Sequence, residues 1–259
     1  MEECLLIRKK HLKLLITFLA LGLIMTIYVV SADKKITYVA LGDSVAYGQD
    51  PYGKPGYSYA DYLKNYLSKN DLLRAYTKEF TKSGLRTTDL INDIRSSKTI
   101  TFNKEIQSIK KILREANLVT ISIGANDFLE QIGFNLDKNQ LLNVEVLQQK
   151  VDEIIPQVEE TIKEVKKYAK GNILVIGYYN PLPQVLKYNV KEMDQLFAYV
   201  NEKYQTICKK EEVHYIDVYE EIKAHPEYSP NPLDIHLNAA GQEEIAKKII
   251  AYLEKNILN

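Results

Sequence analysis

The chain has 259 residues, 46% of them hydrophobic and 26% charged, which is the composition of an ordinary globular protein able to bury one sizeable core. Its 34 lysines and arginines equal its 34 aspartates and glutamates, so no overall field draws it onto nucleic acid or an anionic surface, and composition argues against a nucleic-acid role. The two cysteines, Cys4 and Cys208, have neither the spacing of a zinc site nor the context of a lipoprotein cysteine.

The first 32 residues stand apart. Arg8, Lys9, Lys10 and Lys13 precede an uncharged apolar run over 14–30, and Val30-Ser31-Ala32 supplies the small residues expected before a cleavage site. The pattern predicts an export segment over 1–32, either a signal peptide or an N-terminal membrane anchor, since the run reaches the lower length limit for a spanning helix. Cleavage would remove Cys4 and leave Cys208 without an internal disulfide partner, so the fold has to hold by packing. No repeat or low-complexity linker divides the remainder, which predicts a single domain over 33–259.

Apolar, β-rich runs at 36–41, 118–123, 172–177 and 213–218 read as strands buried on both faces, with a weaker candidate at 75–80. Helical patterns lie between and after them, over 59–69, 88–95, 103–115, 144–170, 191–211 and 239–255. This alternation predicts an α/β fold with a parallel sheet covered by helices on both faces and a site at the carboxyl ends of the strands. The irregular stretches at 47–57, 128–143, 178–189 and 225–237 are where chemistry is expected.

Four short blocks carry it. The first strand empties into Gly42-Asp43-Ser44, where glycine permits a tight turn and a following helix aims its positive end near the serine. Ser83-Gly84 follows the weak strand. The strand at 118–123 runs into Gly124-Ala125-Asn126-Asp127, and Asn126 offers two amide hydrogens suited to an oxyanion. Near the C-terminus stands Asp234-Ile235-His236, directly before a helix; histidine supplies the base a serine hydroxyl needs, and a nearby carboxylate orients it. His11, His214 and His225 read as leader, strand and loop residues. Each block alone also has a plain structural use: a helix cap for Ser44, turn chemistry for Asn126 and Asp127, a turn glycine at 84.

Taken in this order, the blocks resemble those of the GDSL, or SGNH, hydrolases, over nearly all of the chain from residue 36 onward. The resemblance implies a three-layer α/β/α sandwich with a mostly parallel, flavodoxin-like sheet. It implies Ser44 as nucleophile and His236 as base, with an oxyanion hole made by the backbone N–H groups of Ser44 and Gly84 and the side chain of Asn126. It further implies a carboxylic ester hydrolase of lipase or acylhydrolase type, with no metal and no cofactor. Two departures stand out. The acid usually sits three residues before the histidine, a position held here by Leu233, so Asp234, two residues before, takes the part of triad acid. The asparagine that often precedes the family's glycine is also absent from 78–83.

The partners implied are small-molecule, lipid or glycan acyl esters, with membrane contact only through an uncleaved N-terminal segment. Tyr47, Tyr52, Tyr57, Phe128, Tyr178 and Tyr179 fall in loops expected near the site, where rings either line an acyl groove, stack on a sugar or simply pack the loops, and residues 128–134 suggest an apolar flap. Three readings follow: a lipase-like acyl-ester hydrolase, a deacetylase of extracellular or cell-wall carbohydrate, and a binding module on the same fold without activity.

Overall fold

Every residue of the run from Ile36 to Gly42 is buried. Such a strand, β1 (Ile36–Gly42), must have neighbours on both edges and helices on both faces. The computed structural model describes residues 16–18, 35–133, 143–180 and 190–258. In it β1 pairs in parallel with β2 (Leu73–Thr81) on one side and β5 (Leu118–Ser122) on the other. Beyond β5 come β6 (Asn172–Ile176) and β7 (His214–Ile216), also parallel, giving the order β2-β1-β5-β6-β7.

The pleat separates the two faces of the sheet. Val39 and Leu41 point into one cluster with Val119, Ile121 and Val175, covered by α3 (Thr87–Arg95), α4 (Ile109–Glu115), α6 (Val144–Lys166) and α7 (Val190–Lys210). Tyr38 and Ala40 point the other way, into a cluster with Leu174 and Ile216, covered by α2 (Tyr59–Lys69), α8 (Tyr219–Lys223) and α9 (Ala239–Asn256). The result is the expected three-layer α/β/α arrangement. Two further helices, α1 (Ser44–Tyr47) and α5 (Ala125–Ile132), start directly at the carboxyl ends of β1 and β5.

Three elements differ from the sequence expectation. The helix predicted over 103–115 is an antiparallel hairpin, β3 (Thr99–Phe102) with β4 (Glu105–Ser108), followed by α4 alone. Asn103 and Lys104 adopt φ of 51° and 69°, the left-handed pair that a two-residue hairpin turn demands, and the buried helical face begins only at Ile109. Of the loop expected over 128–143, residues 128–132 are instead the end of α5, and 134–142 lie outside the described residues. The strand expected over 213–218 is shorter, and residues 219–223 form α8. Of the suggested flap, residues 128–132 belong to α5, while residue 134 lies outside the described residues. So does the export segment except for residues 16–18, which are helical; among the described residues no helix is long and apolar enough to cross a membrane.

At the amino ends of the strands, opposite the expected site, Asn117 fastens three of them. Its side-chain oxygen accepts from Thr37 N–H at 2.9 Å, its N–H donates to Thr37 O at 3.0 Å, and its carbonyl accepts from Asn172 N–H at 2.9 Å. Truncation strands the buried Thr37 N–H, a loss of about 1–3 kcal/mol. Asn117→Ala is therefore expected to lower the urea midpoint while leaving the denaturant slope and the catalytic constants near their wild-type values, as equilibrium unfolding and steady-state assays would show.

Candidate active site

Three of the four sequence blocks meet because β2, β1 and β5 are adjacent, and Gly42 pairs with Thr81 on one side and Ser122 on the other. Gly42 has φ 130°, and a Cβ there would fall 1.9 Å from the Ser122 carbonyl oxygen, so the turn out of β1 is open only to glycine. Asp43 N–H then donates to Ser122 O at 2.8 Å, and Asp43 caps α1 by accepting from Val45 N–H at 3.1 Å. Ser44, buried, is the first residue of that short helix rather than its cap.

The block after β2 is tied to the first by Lys82 N–H, which donates to Gly42 O at 3.0 Å. Gly84 has φ 78° and nothing within 4 Å of where a Cβ would stand, leaving its backbone approachable. The block after β5 turns at Gly124, with φ 111° and the hydroxyls of Tyr204 and Tyr178 only 2.3 and 3.0 Å from a virtual Cβ. Asn126 spends one amide hydrogen on Leu85 O at 3.0 Å, which fixes it beside Gly84 and leaves its second hydrogen without a bond to any described residue. Asp127, buried, accepts from both the N–H and the hydroxyl of Thr87 and so pins α5 to the start of α3.

The fourth block approaches from before α9. Asn238 caps that helix by accepting from Gly241 N–H at 3.0 Å. Asn231 donates to Pro51 O at 2.7 Å and Tyr179 hydroxyl to Ile235 O at 3.1 Å, so the His236 loop is held from the loop after α1 and from the end of β6. His236 is buried; its Nδ1 lies 2.6 Å from Asp234 Oδ1, which also accepts from His236 N–H at 2.8 Å. The shifted acid therefore reaches the ring. A carboxylate at Nδ1 holds the proton there and leaves the lone pair on Nε2, which hydrogen bonds to no described residue. Ser44 and His236 line the same cavity of about 280 Å³, whereas Gly84 and Asn126 are not among its lining residues. No cluster of three or more potential metal ligands occurs among the described residues.

Residues 40–244 match the family described as GDSL-like lipase/acylhydrolase. The chain belongs to that family. This GDSL hydrolase, a carboxylic ester hydrolase, shares its fold with several solved structures. They include the lipase Lip_vut3 from a goat rumen metagenome (TM-score 0.65, 16% identity, 84% of this chain and 97% of that one). Axe2, an acetylxylan esterase from Geobacillus stearothermophilus, superimposes with a TM-score of 0.55 at 17% identity over 83% and 93%. LAE5, an alpha/beta hydrolase enzyme from the metagenome of Lake Arreo, Spain, gives 0.52 at 20% over 86% and 96%. No curated protein matches the chain significantly.

Several supports in the GDSL hydrolase carry no sequence signal of their own. Gln49 accepts from Ser83 hydroxyl, and its side-chain amide packs against the His236 ring, 3.2 Å from Nδ1, between the second and fourth blocks. Tyr178 and Tyr204 hydroxyls both donate to Ile123 O, at 3.0 and 2.8 Å, and brace the turn before Asn126. In a chain with 19 tyrosines nothing marks these two in advance.

Asp43 accepts from Ser122 hydroxyl at 2.7 Å, yet burial outweighs this bond and pushes its carboxyl up to about 6 from an ordinary 3.8. Between those values the folded protein binds more protons than the unfolded chain, so stability falls as pH rises through roughly 4 to 6 and is level above. A shift of this size corresponds to about 3 kcal/mol. Asp43→Asn keeps an acceptor oxygen for Val45 and Ser122 but cannot titrate. Urea unfolding across this range should find the variant gaining on the wild type as pH rises; parallel curves would show that Asp43 does not titrate there.

Proposed function

We propose that this GDSL hydrolase cleaves acyl esters through a covalent intermediate on Ser44. Ser44 Oγ attacks the ester carbonyl while its proton passes to His236 Nε2. The tetrahedral oxyanion is held by the N–H groups of Ser44 and Gly84 and by the second amide hydrogen of Asn126. As the intermediate collapses, the proton moves from Nε2 to the departing alcohol, leaving the acyl group on Ser44. Water then attacks that carbonyl, giving its proton to Nε2; collapse releases the carboxylic acid and returns the proton to Ser44. Asp234 stabilises the imidazolium formed in each half.

The observation that carries this reading is His236 itself. A buried imidazole has one nitrogen on a carboxylate at 2.6 Å and the other unengaged, in the cavity that Ser44 also lines. A binding module has no need of that arrangement. The basic-then-apolar pattern of residues 1–32 supports action outside the cytoplasmic membrane, with the domain over 33–259 either released by cleavage or kept on an anchor. Fractionation of expressing cells, with the mature N-terminus determined by mass spectrometry, separates these two.

Treatment with an organophosphonate acyl mimic is expected to leave one adduct on Ser44, and none in Ser44→Ala. Ser44→Ala and His236→Ala should each lose at least about 10⁴-fold in kcat, and Asp234→Asn roughly 10²- to 10⁴-fold. Labelling elsewhere, or turnover of short acyl esters unchanged in Ser44→Ala, would overturn the assignment.

A further inference from the structure

The cavity beside Ser44 is far larger and far more apolar than an acetyl group requires. Besides the two reacting side chains it is walled by Phe128 and Ile132 of α5, Leu147 and Val151 of α6, and Met193 and Leu196 of α7. Apart from those two reacting side chains, the side-chain polar groups of Ser122, Tyr178 and Tyr204 that line it are already engaged. Ser122 hydroxyl donates to Asp43, and the Tyr178 and Tyr204 hydroxyls bond Ile123 O and lie 3.2 Å from each other. A sugar placed there would bury several hydroxyls with no partner among the described residues, each a substantial penalty. An alkyl chain meets no such penalty and gains from every methylene removed from water.

We propose that this cavity binds the acyl chain of the substrate, and that the enzyme is selective for medium-chain acyl esters over acetyl esters. The proposal rests on the Ser44 reading above and assigns its acyl subsite. The volume sets the length. At roughly 30 Å³ per chain carbon, close to the share of one liquid water, 280 Å³ accommodates on the order of eight to ten carbons. Val151 and Met193 set the bore: both are buried, they stand on different helices, and neither touches the catalytic groups through any hydrogen bond. With the acyl chain in the cavity the alcohol part falls outside it, so the selectivity we propose is for the acid part and not for the alcohol.

A p-nitrophenyl ester series from acetate to palmitate tests this. Each methylene is expected to raise kcat/KM by about fourfold, the equivalent of about 0.8 kcal/mol, until a maximum near C8 to C10. Val151→Phe should move the maximum to shorter chains and Met193→Ala to longer ones, and opposite shifts keep the test decisive if one variant fails to fold. A second measurement does not depend on turnover: calorimetry of Ser44→Ala with decanoate should show binding with a negative heat-capacity change, and acetate should show none. A flat series with phosphonate labelling of Ser44 intact would overturn the acyl subsite and leave the esterase reading standing. Decanoate binding without labelling or turnover would instead overturn the Ser44 reading while keeping the cavity as an alkyl site.

Discussion

The site depends on one close approach: the end of β1 lies against the end of β5 so tightly that only a hydrogen atom fits on Gly42. Because backbone meets backbone there, with Asp43 N–H on Ser122 O and Ser122 hydroxyl on the Asp43 carboxylate, the serine's helix and the asparagine's helix leave the sheet from a shared anchor. A side chain at this point would separate the strands and move Ser44 away from Asn126. The cost is a buried carboxylate whose charge the fold disfavours, with two hydrogen bonds to offset its desolvation.

The histidine is held by different means. Its loop belongs to no strand, so its place comes from contacts at several points: the Asn238 cap, the Asn231 bond to Pro51, the Tyr179 bond to Ile235 and the Gln49 amide packed against the ring. Asp234 orients the ring from two positions away because its carboxylate also caps the His236 N–H, which folds the segment back on itself. A separation of two residues thus suffices for a carboxylate to reach Nδ1 where a local turn folds it back.

The sheet and the cavity are linked through the same residues. Gly124 leaves room for Tyr178 and Tyr204 to stand over the Ile123 carbonyl; their rings pack edge to face and form part of the cavity wall. The turn that presents Asn126 and the apolar space beside Ser44 therefore share one support, and the hydrophobic core on that face of the sheet continues directly into the candidate acyl site.

The sequence alone determined β1, β5 and β6 as strands buried on both faces, the long helices and the order of the four blocks, because hydrophobic periodicity and turn residues are local signals, whereas β7 is a half-buried edge strand. The same local reading took residues 103–108 into a helix, although the turn at Asn103 and Lys104 makes them a hairpin, and it left 128–132 as loop. Ser44, Gly84, Asn126, Asp234 and His236 were legible as candidates through their glycine-flanked or histidine-bearing motifs. Only the tertiary structure decided that Asp234 reaches His236, that Asn126 bonds Leu85 O through one amide hydrogen and no other described residue through the second, and that Gln49, Tyr178 and Tyr204 lie against these blocks. Those facts depend on distances between residues far apart in the chain, and such distances are set by how strands pair and helices pack, which no single segment encodes.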